Sequence, residues 1–232
     1  MVIREDLKAA VAESARLMWE KRLTWGKDAG DSSLRDPETG LIYILQQPSD
    51  DHPIPNWSVA TADFVSVVDI DGTNVGDPDV KPTIELLTHL RIYQNRPDVN
   101  AICHSHGEWS VIYAGIRQPI PTMLMDTFYY LGMRPIPCSA MGKIGSDEVA
   151  MSCVEKLGDD GQAVLLASHG AATVGPDLHA AIAVAEMVEQ VAKQAIYASV
   201  IGRPIQLSVS DLFDVTEEEL RANPSMVKDL VL

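Results

Sequence analysis

Apolar positions along the chain recur with two different periods. Over 4–24 they return at helical spacing, with Leu7, Ala10, Val11, Leu17 and Met18 near one stripe. The same spacing over 83–95, with Leu86, Leu90 and Tyr93, predicts a second helix that Pro97 stops. Further helices are predicted near 107–116, over 146–157 and over 177–201, the last ending at Gly202 with Pro204 beyond. Thr216 and Glu219 form a capping box that opens a short acidic helix in the tail. Short apolar runs predict strands at Leu41–Leu45, Phe64–Ile70, Ala101–His106 and Val164–Gly170. Residues 25–33 carry Gly26, Gly30, Ser32 and Ser33 and read as a loop whose backbone can face a ligand. A proline-rich loop is expected over 48–57, and irregular chain with strand pieces over 117–143. Neither a repeat nor a linker interrupts the pattern, so a single domain over 1–232 is expected. Its class is α/β, with a central sheet that is antiparallel or mixed.

Composition narrows the function. With 46% hydrophobic and 22% charged residues, the chain reads as a folded, soluble protein. Its formal net charge is −15, from 18 basic and 33 acidic residues, which disfavours nucleic acid and anionic membrane surfaces as partners. No run approaches the roughly 20 apolar residues that span a bilayer. The start of the chain lacks the basic-then-apolar form of a signal peptide, and three cysteines without CxxC spacing suit a reducing compartment. A cytoplasmic protein is expected.

The candidate chemistry lies in two histidine-bearing stretches. In Ala101-Ile102-Cys103-His104-Ser105-His106-Gly107, an extended chain aims His104 and His106 to the same side, because side chains alternate with a period of two. A third histidine, His169, ends a similar run, Leu165-Leu166-Ala167-Ser168-His169-Gly170. Three imidazoles with one position left open suit a catalytic divalent cation, Zn²⁺ first, with Mn²⁺, Co²⁺ or Fe²⁺ also compatible. Glu85, near the start of the helix before the His104 strand, is the candidate proton carrier, although a carboxylate there also favours the positive end of a helix. Asp126 stands among apolar and aromatic neighbours, where a carboxylate is costly without a partner or a task. His52, His89 and His179 read as surface or internally satisfied histidines. The glycine loop matches neither GxGxxG nor GxxxxGK[ST], so nucleotide binding has little support.

Three blocks together resemble the class II aldolase/adducin family: Pro82-Thr83-Ile84-Glu85, Arg96 to His106, and Leu165 to Gly170. The resemblance extends from about Gly26 to Pro204. It implies a three-layer α/β/α sandwich around a mostly antiparallel central sheet. It also implies a divalent metal and a homotetramer with active sites at subunit interfaces. Carried over, His104, His106 and His169 correspond to the metal ligands and Glu85 to the catalytic acid/base. Asp126 falls where the aldolases carry an interface tyrosine and the epimerases an aspartate, and would reach the neighbouring subunit's metal site. Asp31, Ser33 and Thr83 fall in the substrate-binding positions.

Departures from the family pattern bear on the substrate. Where sugar-phosphate members carry Gly-Asn, a Thr-Gly pair and two serines before the glutamate, this chain has Gly30-Asp31, a segment near Pro48-Ser49-Asp50, and Thr83-Ile84. Hydrogen-bond donors are lost and a carboxylate is gained, which opposes a dianionic phosphate. The expected activity is a metal-dependent carbon–carbon lyase, an aldolase acting by retro-aldol cleavage through a metal-bound enediolate on a non-phosphorylated hydroxy-carbonyl substrate. A decarboxylase of a hydroxylated or aromatic acid is the alternative, with Arg35, Lys81 or Arg91 available to hold a carboxylate. A sugar epimerase and a non-catalytic adducin-like interaction module are the remaining alternatives.

Overall fold

A computed structural model describes residues 2–48 and 53–223. Helix α1 (Glu5–Glu20) is followed by strands β1 (Asp31–Arg35), β2 (Ile42–Leu45) and β3 (Val65–Val68), then α2 (Leu86–Asn95) and β4 (Ala101–Ser105). Three helices come next, α3 (Ser110–Ile116), α4 (Met125–Tyr130) and α5 (Asp147–Leu157). Strands β5 (Ala163–Leu166) and β6 (Gly170–Gly175) lead into the long α6 (Leu178–Ile201) and a short α7 (Glu217–Ala222). The strands form one sheet in the order β3-β2-β1-β4-β6-β5, with every neighbouring pair antiparallel.

Alternation within the strands assigns the two faces. Tyr43, Leu45, Ala101 and Cys103 point to the side of α1 and α6, where they pack with Val11, Ala15, Met18 and Ala185. Ile42, Ile44, Ile102, Val164 and Val174 point the other way, against Leu90, Ile92, Cys153 and Leu157 of α2 and α5. This is the expected α/β/α sandwich. Each fully buried large aliphatic contributes about 1.5–3 kcal/mol relative to exposure. No helix among the described residues is long and apolar enough to cross a membrane.

Two predicted boundaries are corrected. Residues 31–33 were expected in a loop but belong to β1, a strand in the interior of the sheet. Ser32 and Ser33 are wholly buried there because their hydroxyls bond other side chains, Ser14 in one case and His89 and Tyr93 in the other. The polar residues that read as loop are thus satisfied inside the core. The stretch 117–143 does contain an isolated bridge between Ile120 and Ile136, but α4 interrupts it. The tail helix carries the capping box expected of Thr216 and Glu219.

Candidate metal centre

The site grows from one end of the sheet face that α2 and α5 cover. His104 stands on β4, opposite Asp31 on β1 and Ala172 on β6. His106 follows the strand by one residue, and its imidazole returns to the same side, as the two-residue period requires. His169 occupies the tight connection from β5 to β6, after Ser168 at φ 58°. Gly170 next to it allows the close approach. A Cβ there would collide with the Ser105 carbonyl and press on the rings of His104 and His106.

The three rings lie with their centroids 4.7 Å apart in every pairing. Their ligand atoms all fall within 4.8 Å of one another, and the Nε2 atoms of His104 and His106 are 3.0 Å apart. Two nitrogens on a tetrahedral Zn²⁺ at 2.0–2.1 Å are about 3.3 Å apart, so little movement is needed. The Ala171 carbonyl lies 3.1 Å from His104 Nδ1 and accepts a hydrogen bond from its N–H, which leaves Nε2 as the lone-pair donor. Burial holds the His104 imidazole well below its ordinary pKa, reinforced by His106. Burial, followed by His169, pushes His106 down to about 4. Both rings are therefore neutral near pH 7, the state a cation requires. The residues fit a divalent metal.

Beside the histidines opens a cavity of about 440 Å³. Asp31, Thr83 and Glu85 line it together with His104, His106 and His169, so six of the expected residues meet there. Glu85 directly precedes α2, but its side chain does not cap the helix. It is 5% exposed, Oε1 has no partner, and Oε2 receives only a long 3.5 Å bond from Thr88 Oγ1. Burial raises its pKa, His169 draws it back and Asp31 pushes it up again. The net direction is upward, which favours the protonated carboxyl at this position.

Asp31 is anchored from behind. Thr83 Oγ1 donates to Oδ2 at 2.7 Å, and His89 Nε2 pairs with Oδ1 at 2.8 Å. His89 Nδ1 in turn faces the Ser33 hydroxyl at 2.7 Å, which meets the Tyr93 hydroxyl at 2.7 Å. Burial alone would push the Asp31 carboxyl up. The His89 imidazole outweighs it, with His104 and Thr83 adding to the pull, and Asp31 ends well below the carboxylate range.

Other expectations are corrected. Ser33 does not line the cavity; it is fully buried and supports Asp31 through His89. Asp126 is exposed on α4 rather than enclosed by apolar groups, and it is not brought into the cavity of its own chain. Arg35 is spent on the carbonyls of Tyr93, Pro97 and Val99, and Arg91 on Asp147 and Gln94. Neither they nor Lys81 line the cavity. His89 is the internally satisfied histidine it was expected to be, and His179 is exposed on α6. His52, Ser49 and Asp50 lie outside the described residues. Gln46, Gln47 and Trp57 also line the cavity, although nothing had singled them out. For Gln46 one signal was available: it ends an apolar run in phase with Ile42 and Ile44.

An antiparallel sheet between helix layers thus carries an imidazole cluster and a buried glutamate at one end. Residues 9–196 match the Class II Aldolase and Adducin N-terminal domain, and the chain belongs to this class II aldolase family. An L-fuculose phosphate aldolase of Methanococcus maripaludis is 30% identical over 186 residues, covering 76% of this chain and 89% of the relative. A 5-deoxy-D-ribulose 1-phosphate aldolase of Bacillus thuringiensis is 26% identical over 219 residues, covering 94% and 97%. Among solved structures, an L-fuculose 1-phosphate aldolase superposes with a TM-score of 0.79 at 26% identity, covering 99% of this chain and 98% of its own. These relatives support an enzyme of the aldolase kind, with a small-molecule substrate.

Proposed function

We propose that the chain is a metal-dependent aldolase that cleaves a non-phosphorylated hydroxy-carbonyl compound. The observation that carries this reading is the composition of the cavity wall. Three histidines converge beside a buried glutamate, and among the described lining residues there is no lysine or arginine while Asp28, Asp31 and Glu85 are acidic. The relatives above are named for sugar phosphates, and a phosphate dianion would meet carboxylates here instead of cations.

In this reading His104, His106 and His169 hold a divalent cation, with zinc the best match to three imidazoles. Such a cation, when bound, supplies Lewis-acid polarisation of substrate oxygens. Glu85 carries the proton at the carbon beside the carbonyl, giving it to the departing fragment in cleavage and taking it in condensation. Thr83 and the His89 imidazole hold Asp31 beside His104, where its carboxylate favours positive charge. Burial around Glu85 excludes water and keeps its proton exchange directed at the substrate. Asp126, exposed on α4, serves the second carbonyl from a neighbouring subunit of a homotetramer, and the protein works in the cytoplasm. The decarboxylase alternative finds no lysine or arginine among the described lining residues to hold a carboxylate. A purely scaffolding role leaves the buried, unpaired Glu85 without a reason.

The test is condensation of dihydroxyacetone, or of dihydroxyacetone phosphate, with a short aldehyde by the zinc-loaded protein. The expected outcome is ketose formation from the non-phosphorylated donor, abolished together with metal binding in His106→Ala. Turnover confined to the phosphorylated donor, or full activity in His106→Ala, refutes the proposal.

A further inference from the structure

Extending the register between β1 and β2, in which Ser33 faces Ile44, places Gln46 opposite Asp31. Asp31 itself faces His104. Gln46, Asp31 and His104 therefore form a row across three adjacent strands, all on the same face of the sheet. Gln46 is 2% exposed, and neither its amide nitrogen nor its amide oxygen has a hydrogen-bond partner. Next to it, Asp31 Oδ1 has the His89 Nε2 at 2.8 Å as its neighbour of opposite polarity. A buried amide with both ends unpaired is rare and costly, and it calls for a group that both donates and accepts. The wall around it offers Gln47, Pro48 and Trp57, whose indole N–H is already committed to the Gly30 carbonyl at 3.0 Å. Two strand spacings separate Gln46 from His104, about 9–10 Å along the row.

We propose that Gln46 is the specificity-determining residue of this cavity: its amide binds an uncharged, hydroxyl-bearing end of the substrate while the other end lies at the histidines. A hydroxyl matches both halves of the amide, accepting from Nε2 and donating to Oε1. Alternatively its single proton goes to Asp31 Oδ1, a bond that a phosphate dianion, which carries no proton, cannot make. A phosphate dianion would gain one neutral donor and meet the Asp31 carboxylate. The inference rests on the proposed lyase reading and adds the residue that selects the substrate.

The test is calorimetric binding of dihydroxyacetone and of dihydroxyacetone phosphate to the zinc-loaded protein, with thermal unfolding of the metal-free protein as a second readout. Wild type is expected to prefer dihydroxyacetone. Gln46→Met keeps the length of the side chain and removes both polar atoms. It is expected to bind dihydroxyacetone about ten-fold more weakly, while its unfolding temperature stays the same or rises by about 2–4 °C. A smaller side chain, in Gln46→Thr, must weaken binding as well, so the result does not hang on how methionine packs. Unchanged affinity in both variants, or a lower unfolding temperature in Gln46→Met with unchanged affinity, overturns the role of Gln46 and leaves the lyase reading intact. Tighter binding of the phosphate by wild type overturns the neutral-end claim. Binding of neither compound by wild type counts against the lyase reading itself, and the inference falls with it.

Discussion

At the start of β4 the side chain of Arg96, 6% exposed, donates to the carbonyls of Gly158 and Gly161 at 3.0 and 2.9 Å and pairs with both oxygens of Asp98. Arg35 closes the neighbouring carbonyls of Tyr93, Pro97 and Val99. At the far end of the same strand Glu85 Oε1 and both amide atoms of Gln46 are buried without a hydrogen bond. One strand thus joins a region where polar groups are mutually satisfied to one where they are left open. The first arrangement holds loops together; the second is unfavourable until something enters the cavity. The proposed site lies at the end where the fold leaves these polar groups unpaired.

This contrast separates activity from stability. The largest effect is expected for Glu85→Gln, which keeps the shape and removes the proton carrier. Its kcat should fall by about 10²–10⁴-fold, with metal content and unfolding temperature close to wild type. A kcat equal to wild type would remove Glu85 from the chemistry. Arg96→Met should behave in the opposite way. It leaves two carbonyls unpaired at the closed end, which costs about 2–4 kcal/mol and lowers the unfolding temperature by roughly 4–16 °C. Turnover below the transition should not change. A loss of kcat without a loss of stability in Arg96→Met would erase the distinction between the two ends.

Much of this was legible in the sequence because apolar periodicity reports burial. The helices at 83–95, 146–157 and 177–201 and the strands around Tyr43, Val67 and Ile102 follow directly from it. Strand β1 was not legible: Asp31, Ser32 and Ser33 are polar and buried, and only their tertiary partners make that tolerable. Strand β6, Gly170 to Gly175, is built mostly of small residues and leaves little hydrophobic signal; Gly170 allows the approach of His104 and His106, and Gly175 that of Ala180 and Ala181. In the site, His104 and His106 could be paired from their spacing alone. His169 was expected from its matching strand-like run into His-Gly and from the family resemblance, and the structure brings its ring to 4.7 Å from the other two. The support of Asp31 by His89, and the open amide of Gln46, follow from helix docking and strand register.

The central claim is that three imidazoles from two separate strand connections grip one divalent ion. The direct measurement is the metal content of the purified protein after equilibration with Zn²⁺ and removal of excess, in wild type and in His169→Ala. One equivalent per chain in wild type, and a loss of most of it in His169→Ala with the fold retained, is the expected result. Undiminished binding in His169→Ala, or no stoichiometric binding in wild type, would contradict it.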